Sequence, residues 1–108
     1  MPKYLIEGTY TPEGLKGLAK DKASGRKAAV QAALKSVKGK VESFHFAFGD
    51  YDFLIIVDLP DNVSAAAISL AVGTAGFVRH KTVPLLTVDE VDQALAVTTK
   101  YRAPGQDS

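Results

Sequence analysis

Val41-Glu42-Ser43-Phe44-His45-Phe46-Ala47-Phe48-Gly49-Asp50-Tyr51-Asp52-Phe53-Leu54-Ile55-Ile56-Val57-Asp58 reads as two strands folded back on each other at Gly49-Asp50. Aromatic and β-branched residues flank a glycine-first pair, the composition of a two-residue type II′ hairpin loop. With that loop, Phe48 faces Tyr51, Phe46 faces Phe53 and Phe44 faces Ile55 on one side of the ribbon. The other side sets Val41, Ser43, His45 and Ala47 against Asp58, Ile56, Leu54 and Asp52, because successive side chains alternate. Both sides are substantially apolar. A sheet wetted on one face alternates more cleanly than this.

Upstream of the hairpin, Lys3 to Thr9 is a first strand carrying Tyr4, Leu5 and Ile6. Thr11-Pro12-Glu13-Gly14 opens a helical stretch, with Thr11 as cap and Pro12 at the first helical position. Ser24-Gly25 is the expected interruption. The stronger helix beyond it places Val30, Ala33, Leu34 and Val37 on one side and ends at Gly39. Downstream, Asp61 or Asn62 caps an alanine-rich helix to about Val72, closed by Gly73 and Gly76. Phe77 to Leu86 is a fourth strand, and its Pro84 assigns it to a sheet edge, since proline cannot donate to a ladder. Thr87-Val88-Asp89-Glu90 has capping-box spacing before a short helix to about Val97. Residues 1–98 form one domain, and 99–108 read as a flexible tail.

Strand, helix, hairpin, helix, strand is the βαββαβ pattern of the ferredoxin-like α+β fold. Right-handed crossovers lead to an antiparallel sheet in the order 4-1-3-2 with both main helices on one face. That order also puts the fourth strand at an edge, where Pro84 independently requires it. Two helices cover only one face. Leaving several large side chains wet forgoes about 1.5–3 kcal/mol each, so a second copy of the chain is expected over the open face. Spacing alone leaves open which face the helices take.

Composition narrows the function classes. A net charge of +1 over 108 residues, with the lysines dispersed among acids, argues against nucleic acid as a partner. The absence of cysteine removes disulfides, thiolate metal sites and cysteine nucleophiles. His45 and His80 lie on different strands without ligand spacing, so neither a metal nor a cofactor is expected. No signal-like segment and no membrane-length apolar run are present, which makes a cytoplasmic location the expectation.

The strand order brings one rim together. Tyr10 leaves the first strand there, Tyr51 and Asp52 begin the third, and Arg79 lies near the start of the fourth. Arg26, at the start of the stronger helix, approaches the same region if the helix breaks at Ser24-Gly25. These five residues are the candidate ligand-binding set. Each has a structural alternative: Asp52 as an acceptor for backbone N–H groups, Arg79 as a partner of a neighbouring acid, and the tyrosines as interface aromatics. No catalytic motif is present.

Phe48-Gly49-Asp50-Tyr51-Asp52, with the apolar run to Val57 and then Pro60-Asp61, resembles the GYD-domain family. The resemblance runs from Tyr4 to about Leu95 and includes the Thr11-x-x-Gly14 turn, Arg26 and Gly76-Phe77-Val78-Arg79. It implies membership of the dimeric α/β-barrel superfamily, in which two open sheet faces meet. Related families include cofactor-free monooxygenases, isomerases, haem-binding enzymes and effector-binding domains, so the fold does not choose an activity. The leading expectation is a homo-oligomeric module binding a small anionic or aromatic molecule. A monooxygenase- or isomerase-like enzyme and a purely structural assembly protein are the alternatives.

Overall fold

In a computed structural model, which describes residues 1–107, the elements are β1 (Lys3–Tyr10), α1 (Pro12–Lys35), β2 (Lys40–Phe46), β3 (Phe53–Asp58), α2 (Asn62–Ala75), β4 (Val78–Leu85) and α3 (Val88–Ala96). Ser108, the last residue of the expected tail, lies outside the described residues. All strand pairs are antiparallel in the order β2-β3-β1-β4, which is 4-1-3-2 counted from the other edge. Pro84 sits on the edge strand opposite Tyr4.

Burial settles which face the helices cover. Tyr4 and Ile6 from β1 and Phe53, Ile55 and Val57 from β3 form one core with Leu34 of α1 and Ala65 of α2. Phe44 and Val41 pack against that core. The opposite face carries Leu5, Glu7, Leu54, Ile56 and Val83, none of them buried. Asp58 is the exception there. The Lys3 ammonium reaches it at 2.8 Å and Glu42 at 2.6 Å, and that contact holds the Asp58 carboxyl below the usual carboxylate range.

The caps follow the sequence. The Thr11 hydroxyl accepts from the Gly14 N–H, the Asp61 carboxylate from the Ser64 N–H, and Thr87 with Glu90 closes a reciprocal capping box. Other local expectations are corrected. The hairpin is wider than two residues: its last link is Ala47 N–H to the Asp52 carbonyl at 2.8 Å, leaving Phe48 to Tyr51 as the loop. The cause is the Asp52 N–H, which turns away to donate to the Gly8 carbonyl of β1 at 2.8 Å. At the far end of the hairpin a bulge between Val41 and Ser43 pairs Val41 with Val57, not with Asp58. The extra residue rotates Val41 toward the core and leaves Glu42 near Lys3.

Helix ends also move. α2 runs through Gly73 to Ala75 and stops at Gly76, which takes the left-handed conformation (φ 79°). Beyond α1 the left-handed residue is Lys38 (φ 64°), not Gly39. Gly39 is required for proximity instead, since a Cβ there would lie 2.6 Å from Leu59 Cδ2 and 2.7 Å from the Asp58 carbonyl oxygen. The interruption within α1 falls at Lys22 (φ 68°, ψ 164°), two residues before the expected Ser24-Gly25. No local signal marks Lys22, and a side chain in that region of φ/ψ space stores about 1–3 kcal/mol. Replacing Lys22 by glycine should therefore raise stability by about 1 kcal/mol, read as a higher urea midpoint at unchanged slope.

The molecule is elongated. Its radius of gyration is 17.5 Å and its extents are 59 × 31 × 23 Å, whereas a compact chain of this length has a radius of about 13 Å. α3 has no buried residue. Among the described residues no helix is long and apolar enough to cross a membrane.

Candidate functional site

β1 and α1 meet at Tyr10-Thr11, and that junction is stitched to the start of β4. The Thr11 N–H donates to the Phe77 carbonyl at 3.0 Å, and the Thr11 hydroxyl reaches the Phe77 and Gly76 carbonyls at 3.1 and 3.2 Å. Gly14, one turn on, is buried against the same Phe77 carbonyl, where a side chain would collide. The Thr11-x-x-Gly14 turn is thus a close-approach device. It sets the first turn of α1 against the edge strand.

Tyr10 is the last residue of β1 and points to the helix-covered side, its ring 5.4 Å from that of Phe53. Its backbone N–H donates to Asp52 Oδ2 at 2.8 Å. Asp52 therefore clasps β1 twice, once through its side chain and once through its own N–H to Gly8. This is the structural role weighed for it in the sequence.

Behind Tyr10, between α1 and α2, lies a cavity of about 400 Å³ whose lining includes Tyr10, Leu18, Asp21, Arg26, Val72, Phe77 and Val78. A second space of about 120 Å³ reaches deeper, to Ile6, Phe53 and Ile55, and shares Tyr10, Arg26, Val72 and Val78 with the first. The walls are apolar. The polar groups are the Tyr10 hydroxyl, the Arg26 guanidinium and Asp21, the last 3.7 Å from Arg26. Burial pushes the Tyr10 phenol above its ordinary range, and the Arg26 charge beside it opposes the shift. The phenol is consequently neutral near pH 7 and keeps a proton to donate.

The matching sequence pattern is that of the GYD domain, whose family model covers residues 4–95. The chain belongs to the GYD-domain family. A search of curated proteins finds no match. In this GYD domain the aspartate at the end of the hairpin motif, Asp52, is the clasp just described, and the glycine, Gly49, takes φ 149° in the loop. Phe48 beside it is fully exposed.

The five sequence candidates do not converge. Tyr10 and Arg26 meet at the cavity, and Asp52 touches Tyr10 only through the backbone. Arg79 pairs with Thr9, one residue before Tyr10, so alternation sends it to the open face. It makes no ion pair among the described residues. Tyr51 lies toward that open face as well, with the Lys81 ammonium 5.2 Å from its ring centroid and 3.7 Å from Glu7. Tyr51 and then Glu7 hold the Lys81 ammonium above the usual lysine range. Sequence reasoning missed Asp21 and Lys81. Asp21 reaches Arg26 because of the turn at Lys22, which has no sequence signature. Lys81 was legible in principle, as the residue opposite Glu7 once the strand register is known.

Proposed function

We propose that this GYD domain is a cytoplasmic, homodimeric binding protein for a small molecule with an anionic head and an apolar or aromatic body. One observation carries the reading: an arginine, loosely paired with Asp21, and a neutral tyrosine hydroxyl stand together in a cavity of about 400 Å³ whose other walls are apolar. That is the composition of a small-molecule site, mostly apolar walls with a few placed polar groups. Arg26 is available to a ligand because its contact with Asp21 is long and part-exposed, an ion pair of little worth. A carboxylate displacing Asp21 gains a charged, bidentate partner. The apolar side chains of the open face, Leu5, Leu54, Ile56 and Val83, support self-association there.

The test is calorimetric titration with aromatic monocarboxylates and medium-chain fatty acids against the wild type, Arg26→Ala and Tyr10→Phe. Arg26→Ala is expected to weaken binding by about 10- to 100-fold, and Tyr10→Phe by about 3- to 10-fold, the ranges for losing a charged and a neutral hydrogen bond. Equal affinities in all three proteins, or no binding to the wild type, reject the cavity as the site.

A further inference from the structure

α3 and the residues around it are the most exposed apolar part of the chain. Val88 is 82% and Leu95 79% exposed, and Leu86, Val91, Val97 and Tyr101 are exposed as well. Val88, Val91 and Leu95 fall at i, i+3 and i+7, one stripe along the helix. The helix is also carefully made. Its capping box is complete, with Thr87 N–H to Glu90 at 2.9 Å and Glu90 N–H to Thr87 at 3.0 Å, and Gln93 bonds Asp89 at 2.8 Å. Yet α3 has only nine residues, and isolated helices shorter than about 12–15 are marginal in water. A defined helix this short needs a surface on which to bury its stripe, and its own protomer offers none, since no residue of α3 is buried.

The charge of the arm indicates its partner. α3 carries Asp89, Glu90 and Asp92 and no basic residue. Helices that lie on membranes are rich in lysine and arginine on the polar face, and an acidic one is repelled by anionic lipid. The rest of the chain has the complementary sign: α1 carries Lys16, Lys20, Lys22, Lys27 and Lys35 against Glu13 and Asp21, and Arg79 on the open face is unpaired among the described residues. An acidic, apolar arm on a chain otherwise basic is self-complementary. Two-fold symmetry satisfies both arms at once.

We infer that Leu86–Val97 is an exchange arm, reaching out of one protomer to pack its Val88-Val91-Leu95 stripe on a second copy of this chain. The inference rests on the self-association proposed above and adds the arm to that interface.

The wild-type chain, its Val91→Asp/Leu95→Asp variant and mixtures with a labelled copy supply the test. Because the chain has no cysteine, Ala96→Cys accepts a single nitroxide label. Mixed with an unlabelled, nitrogen-15 copy, the labelled protein should broaden resonances of the other copy's body. In sedimentation velocity the double variant should dissociate at protein concentrations at least about 100-fold higher than the wild type, since four apolar contacts are lost per dimer. Dimerisation equal in both proteins, with no intermolecular broadening, overturns the arm while leaving a sheet-mediated dimer standing. A wild-type monomer at every concentration overturns both. Flotation of the wild type with phosphatidylserine vesicles also overturns the inference, in favour of a lipid surface. Carboxylate titration of Arg26→Ala reads the ligand site separately.

Discussion

Gly14→Ala is expected to destabilise the domain by about 3 kcal/mol, although alanine is the better helix former by about 1 kcal/mol. A Cβ at Gly14 meets the Phe77 carbonyl oxygen and carbon together with the Tyr10 ring, so backbone has to move. Overpacking of this kind costs about 1–3 kcal/mol. Backing α1 away from β4 also stretches the bonds from Thr11 to Phe77, worth about 1 kcal/mol each. Gly17→Ala in the same helix is the control. Nothing lies within 4 Å of its added methyl, so it should stabilise by about 0.5–1 kcal/mol. Urea denaturation of the two variants beside the wild type gives the comparison. Equal midpoints for both alanines would remove the close-approach argument for the Thr-x-x-Gly turn.

Phe53→Ala should cost about 3–5 kcal/mol, the range for deleting a buried aromatic ring. Phe53 is 5% exposed, stacks obliquely on Tyr10 and lines the deeper of the two cavities. The neighbouring void makes collapse around the deletion harder, which places the expectation toward the upper end of that range. For a small domain with about 5–15 kcal/mol in total, such a loss leaves a substantial unfolded fraction on modest heating. Phe48→Ala, two residues beyond the end of β2 and fully exposed, should change stability by less than about 0.5 kcal/mol. Calorimetric unfolding of both variants distinguishes a ring in the core from a ring in the loop. A loss of under about 1 kcal/mol for Phe53→Ala would show that the core does not depend on it.

The cavity and the open face have different tasks in this reading. Arg26 and Tyr10 line the interior between the helices and the sheet, while Lys81, Tyr51 and Arg79 stand on the open face proposed above for self-association. Asp52 belongs to neither task. Its carboxylate and its N–H tie the hairpin to β1, which is why the aspartate of the motif can matter for folding without touching a ligand.

The residues alone determined the order of elements, the caps at Thr11 and Thr87, the pairing of Phe44 with Ile55 and Phe46 with Phe53, and the edge position of the strand holding Pro84. Each of these follows from local chemistry: a missing N–H, a side-chain acceptor, a period of two. The tertiary structure decided the rest. Which face α1 and α2 cover depends on burial summed over several strands, and the bulge at Glu42 decides which way Val41 turns. The turn at Lys22, the meeting of Arg26 with Tyr10 and the parting of Tyr10 from Arg79 depend on register and helix placement. A one-residue offset along a strand exchanges one face for the other, and no short-range pattern encodes where that offset falls.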